Sequence, residues 1–81
     1  MKASQNYLMI ERLGIVSDCI LSGCYPSSSM LAKRVETILG TKPSIPTIYR
    51  DIEFLRDRQG LNIVWDASRK GYVIRTKNKG A

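Results

Sequence analysis

Ser44, Thr47 and Arg50 follow one another at intervals of three within the stretch SIPTIYRDIEFL, residues 44–55. Residues three and four apart share a face of an α-helix, so two hydroxyls and a guanidinium line up if this stretch is helical. Their chemistry is recognition, not bond making. Hydroxyls at a helix start can meet a phosphate, because unpaired N–H groups and the helix dipole already favour an anion there. A guanidinium one turn further on offers a planar fork that fits guanine O6 and N7, or a phosphate. Thr47 is expected to take a phosphate and Arg50 a base edge or phosphate. Ser44 is open to two roles, helix cap and phosphate contact. Pro46 is expected to face outward, where it can make an apolar contact with a thymine methyl. Tyr49 sits between faces, able either to donate its hydroxyl to a phosphate or to pack against the preceding helix.

A second group of cations, Arg69, Lys70, Arg75 and Lys77, with Lys79 beyond, comes late in the chain. Grouped on one element, such side chains fit a phosphate or minor-groove contact. Lys33, Arg34 and Lys42 can add weaker backbone contacts from otherwise solvated faces. Thirteen Lys and Arg against seven Asp and Glu give a net charge of +6, and residues 61–81 hold five of the bases against one acid. That excess points to a polyanionic partner.

Other chemistries are poorly supplied. The chain has no His, no glycine-rich phosphate loop, no paired carboxylates and no nucleophile beside a base, so it is not expected to be an enzyme or to need a cofactor. Its two cysteines, Cys19 and Cys24, fall short of the four N or S ligands of a zinc site and read as reduced thiols. No apolar run approaches the roughly 20 residues of a membrane span, and the N-terminus lacks the layout of a signal peptide. No membrane partner is expected, and the expected location is cytoplasmic.

The elements that must position these residues come next. At 81 residues the chain is one small domain with a modest core. Met9, Leu13, Val16 and Ile20 mark a first helix over about Ser4 to Ser22. Leu8, Ile15 and Cys19 form a narrower strip on another of its faces, expected to pack under the C-terminal hairpin or to serve a dimer contact. Ser27 caps a second helix carrying Leu31, Val35, Ile38 and Leu39 to Gly40. Ser44 caps a third, with Ile45, Ile48, Ile52 and Leu55 inward and Pro46, Thr47, Arg50, Glu53 and Asp57 outward, ending at Gly60. Asp51 lies toward the packed side and is expected to pair with Arg34 or Arg12. After Gly60 the pattern changes to strands, 61–65 and 72–75, around a turn at 66–71, with Trp65 and Tyr72 expected to lean on the helices. Residues 1–76 thus read as the domain and 77–81 as a basic tail.

Three helices followed by a hairpin is the order of a winged helix-turn-helix, mainly α with a small two-stranded wing. The run Thr47-Ile48-Tyr49-Arg50-Asp51-Ile52-Glu53-Phe54-Leu55-Arg56-Asp57, then Gly60, Ile63 and Gly71-Tyr72, resembles the N-terminal domain of DeoR-type repressors and especially of WYL-domain transcriptional regulators. The resemblance extends from Ile10-Glu11-Arg12-Leu13 through Leu31-Ala32 to Tyr72. It implies a double-stranded DNA-binding regulator, most simply a repressor, with helix 44–58 in the major groove and the 61–75 wing on the flanking backbone or minor groove.

Three departures accompany it. The connection from Leu31-Ala32 to Thr47 is longer than usual, Ile45-Pro46 replaces polar residues after the capping serine, and the chain ends after the wing, so no small-molecule effector is expected. A homodimer on two half-sites is a possible partner arrangement. The alternative function is a winged-helix protein-interaction module without sequence-specific DNA binding.

Overall fold

Two serines set where the second and third helices start. Ser27 and Ser44 both have extended backbone, and each accepts a hydrogen bond in its side chain from the amide three residues on, Met30 and Thr47 respectively. Each cap satisfies one amide that the first turn leaves without an intrahelical partner. The computed structural model describes residues 2–75, with side chains from Tyr7 onward. Its elements are α1 (Lys2–Leu21), α2 (Ser28–Leu39), α3 (Ile45–Gln59), β1 (Ile63–Asp66) and β2 (Gly71–Ile74). β1 and β2 form one antiparallel hairpin in the register Ile63↔Ile74 through Asp66↔Gly71. The arrangement is a winged helix-turn-helix.

The core takes Leu13, Val16 and Ile20 from α1, Leu31, Ala32 and Val35 from α2, Ile48, Ile52 and Leu55 from α3, and Ile63 from the wing. Ile38 departs from the expected stripe and is 52% exposed. Leu31, Ala32 and Val35 define the inward sector of α2, and Ile38 falls at its margin, turned to a cleft against α1. The strip Leu8, Ile15 and Cys19 is likewise not under the hairpin. Ile15 and Cys19 line that same cleft with α2, and Leu8 lies over the α2–α3 connection with Leu39 and Pro43. The strip faces α2 because Leu13, Val16 and Ile20 occupy the other inward side of α1.

Asp51 is the one buried charged side chain among the described residues, 2% exposed. Its partner is Arg12, not Arg34: Arg12 Nε and Nη2 donate to the two carboxylate oxygens at 2.5 and 2.9 Å. The bond to Asp51 outweighs desolvation and raises the Arg12 pKa further above its ordinary value. A bidentate pair of this kind fixes both the distance and the rotation of α1 against α3.

The wing sits on the corner between α1 and α2. Tyr72 N–H donates to Pro26 O at 2.8 Å, and Pro26 is buried. Gly71 presses so closely on Tyr25 that a Cβ there would lie 1.8 Å from Tyr25 O. On the other side, Arg56 Nε donates to Ile63 O at 2.8 Å, tying α3 to β1. Trp65 does not dock on the helices as expected. It is 49% exposed and meets Tyr72 edge-on, with ring centroids 5.0 Å apart, while Ile63 and Tyr72 make the contact with the core. Trp65 shares their face and stands directly opposite Tyr72, which takes the contact with the core at that level. β1 also starts two residues later than expected, because Leu61 N–H closes the end of α3 on Leu55 O.

Candidate nucleic-acid interface

The start of α3 carries Ser44, Ile45, Pro46 and Thr47 in order. Ser44 Oγ accepts from Thr47 N–H at 3.3 Å and lies 3.0 Å from Thr47 Oγ1. Ser44 is therefore a cap in this structure, and the capping oxygen is shared with the residue expected to hold a phosphate. Two hydroxyls in mutual contact hold one proton between them, which leaves the other O–H free to donate outward. Backbone donors are scarcer. Pro46 has none, Thr47 N–H is capped, and Ile48 N–H bonds Ser44 O, so Ile45 supplies the open amide of the first turn. An anion here would be held by a hydroxyl and side-chain cations more than by a nest of amides.

Two cations flank this start. Lys42 is exposed and borders the same cleft as Thr47. Arg50, one turn beyond Thr47, is exposed and makes no hydrogen bond or ion pair among the described residues. Pro46 is exposed between them. Glu53 and Asp57 occupy the exposed side further along α3. The outward face thus carries Pro46 and Arg50 in its first half and Glu53 and Asp57 in its second, which favours polyanion contact over roughly the first two turns. Arg56 and Arg58 in the last turn are engaged, Arg56 with Ile63 O and Arg58 over the Phe54 ring at 5.7 Å.

Tyr49 resolves toward the wing. It is 49% exposed, and it acts on Tyr72, whose pKa is pushed up first by burial and then by the Tyr49 phenol, with Arg56 opposing. Tyr49 makes no side-chain hydrogen bond among the described residues, so its hydroxyl is open.

The wing tip is organised by Asp66. Its Oδ1 accepts from Ser68 N–H, Ser68 Oγ and Arg69 N–H at 3.0, 2.7 and 3.0 Å, and its Oδ2 pairs with Arg75 Nη2 at 2.9 Å. The Ser68 hydroxyl, followed by the Arg69 amide, holds the Asp66 carboxyl below its usual pKa. The turn closes through Lys70 N–H to Asp66 O, with Lys70 left-handed at φ 57°. Of the expected wing cations, Lys70 is exposed with no ion pair among the described residues, Arg69 stacks over the Tyr25 ring at 4.6 Å, and Arg75 is paired with Asp66. Lys77 lies outside the described residues.

Ser44, Thr47 and Lys42 are brought together, with Pro46 and Arg50 on the same free helix. Lys33 and Arg34 are not: both line the α1–α2 cleft beside Asp18 and Cys19. Tyr25 and Pro26, between α1 and α2, seat the wing. A close approach between residues 25 and 71 has no local signature. No family model, no curated protein and no solved structure matches the chain. No described helix is long and apolar enough to cross a membrane.

Proposed function

We propose that this protein is a sequence-directed, double-stranded DNA-binding transcriptional regulator, acting as a repressor by occupying a promoter. In this reading the first two turns of α3 enter the major groove and the wing lies on the flanking backbone or minor groove. The observation that carries it is the first half of α3, where Pro46 and Arg50 are exposed, Arg50 without an ion pair among the described residues, Thr47 is half-buried beside the exposed Lys42, and no exposed carboxylate comes before Glu53. Arg50 reads a guanine edge, Thr47 and Lys42 hold phosphates, and Lys70 adds a backbone contact from a turn that Asp66 keeps rigid.

Fluorescence anisotropy on the duplex upstream of the protein's own gene, against a scrambled duplex, tests this. Three to five phosphate contacts give a slope of log affinity against log salt of about −2.7 to −4.5, hence a loss of about 40- to 500-fold between 50 and 200 mM salt. Arg50→Ala is expected to abolish the preference between the duplexes, at a cost of about 1–3 kcal/mol on the preferred one. Equal, weak binding to both duplexes that the substitution leaves unchanged would sink the proposal.

One observation favours a second reading, a protein-docking module. Tyr7, Ile10 and Leu21 on α1 are 69%, 65% and 60% exposed. Association through them would be nearly indifferent to salt, and that separates the two readings in one titration.

A further inference from the structure

Cys19 and Cys24 are separated by a left-handed reversal of the chain. α1 ends at Leu21, and Gly23 follows with φ 83°. Gly23 N–H donates to Ile20 O at 3.3 Å, the inner hydrogen bond of a glycine-terminated helix end. In that motif the residue after the glycine folds back against the helix residue five positions before it. Here those two residues are Cys24 and Cys19. The outer hydrogen bond of the motif is replaced by the Ser22 hydroxyl, which bonds Cys19 O at 2.6 Å and lies 2.7 Å from Cys24 Sγ. Both cysteines are free and border the same cleft between α1 and α2.

We propose that Cys19 and Cys24 form a redox clip, a thiol pair that closes to an intramolecular disulfide with a small-molecule disulfide oxidant and thereby fastens the corner on which the wing rests. Cys24 is exposed, whereas Cys19 is half-buried, so the oxidant reaches Cys24 first. The Cys24 thiolate attacks one sulfur of the oxidant, and a mixed disulfide forms as the first small thiolate leaves. Cys19 then gives its proton to solvent and attacks Cys24 Sγ, expelling the second small thiolate. Two protein thiols lose two electrons, and the oxidant gains them as two thiols. Burial, and then the neighbouring Cys24 thiol, push the Cys19 pKa up, with Arg34 opposing, which leaves the first attack to Cys24.

The consequence beyond the pair follows from chain continuity. Cys24 is joined directly to Tyr25, whose ring carries Arg69 and whose carbonyl abuts Gly71, and then to Pro26, which accepts from Tyr72. Tethering Cys24 to α1 restrains that anchor and reduces local opening of the hairpin.

The test uses the whole chain, reduced and then exposed to oxidised glutathione, with remaining thiols alkylated under denaturing conditions and the protein weighed by mass spectrometry. The expected product is a monomer lighter by two hydrogens that takes up no alkylating agent. A lasting glutathione adduct, a disulfide-linked dimer as the main product, or closure no faster than in the urea-unfolded chain overturns the proposal. Gly23→Ala supplies a second arm. A Cβ there meets open space, so the chain still folds, but the left-handed backbone is strained. Closure is expected to slow several-fold, and an unchanged rate would show that the helix end does not bring the thiols together. Hydrogen exchange at the Tyr72 amide is expected to slow on oxidation, and equal exchange in both forms refutes the link to the wing. None of these readouts involves DNA, so their failure leaves the DNA-binding proposal standing, and the reverse also holds.

Discussion

Arg12 and Asp51 form one ion pair, but the two ends are solvated very differently. The Asp51 side chain is 3% exposed and the Arg12 side chain 21%. Removing one partner of a buried pair costs most when the charge left behind has no route to water. Arg12→Ala takes the partner from a carboxylate that is itself buried, whereas Asp51→Ala leaves a guanidinium that can turn outward. Arg12→Ala is therefore expected to destabilise by about 3 kcal/mol and Asp51→Ala by about half as much, discounted for the partial exposure of Arg12. Urea denaturation of both variants decides it, and a larger loss for Asp51→Ala would contradict this account. With total stability in the range of about 5 kcal/mol for so small a domain, Arg12→Ala sits near the edge of folding. That Asp51 points inward was legible from its place in the heptad of α3. Which arginine it meets was not, because Arg12 and Arg34 stand on different helices and only the packing of α1 against α3 chooses between them. Ser44 was similarly legible as a cap, while the contact between its hydroxyl and Thr47 depends on rotamers that spacing alone leaves open.

The wing depends on two positions that make no groove or base contact in the proposed complex. Gly71→Ala would drive a methyl group into Tyr25 O, and backbone on both sides leaves no flexible side chain to yield. The hairpin must lift, breaking the bond from Tyr72 to Pro26, at a cost expected to be about 3 kcal/mol or more. A thermal melt followed by exchange at the Tyr72 amide reads both effects, and a variant as stable as the wild type would refute the close approach. Asp66 governs the tip by charge. Its folded pKa is depressed, so the stability it adds is fully present above the ordinary carboxylate range and is lost as pH falls through the lower, folded value. Protection of the Ser68 and Arg69 amides is expected to hold at neutral and mildly acidic pH and to fade only in strong acid. In Asp66→Asn that acid dependence should vanish, as amide exchange across the same pH range would show. At this scale the sequence announced the helices and the hairpin well, since caps, glycines and periodicity are local. It misjudged Trp65, because Trp65 and Tyr72 stand opposite each other on one face of the hairpin and no local pattern tells which of the two the helices cover.

A single module of this size offers a limited reading surface, because Glu53 and Asp57 on the outward face of α3 disfavour contact beyond its first two turns and Arg75 is paired with Asp66. Specific operators are usually read by two such modules on adjacent half-sites, which doubles the contacts and adds the geometry of the spacing. Of the strip Leu8, Ile15 and Cys19, the last two are half-buried along the cleft with α2 while Leu8 is 50% exposed, a split that could not be read from α1 alone because two faces of that helix are apolar. Tyr7, Ile10 and Leu21, with Leu8, are the large apolar side chains of α1 left exposed among the described residues, and a partner that covered them would bury apolar surface. Pairing through them is expected to persist as salt rises, since burial of apolar surface is little screened, while DNA binding weakens steeply. Sedimentation equilibrium of the free protein and of its complex should therefore show a dimer at both low and high salt, and Ile10→Glu should return a monomer that still binds a half-site weakly. A monomer at working concentration both free and on DNA would rule out dimeric reading, leaving a partner protein as the source of added affinity. A dimer that Ile10→Glu does not disturb would place the contact elsewhere on the surface.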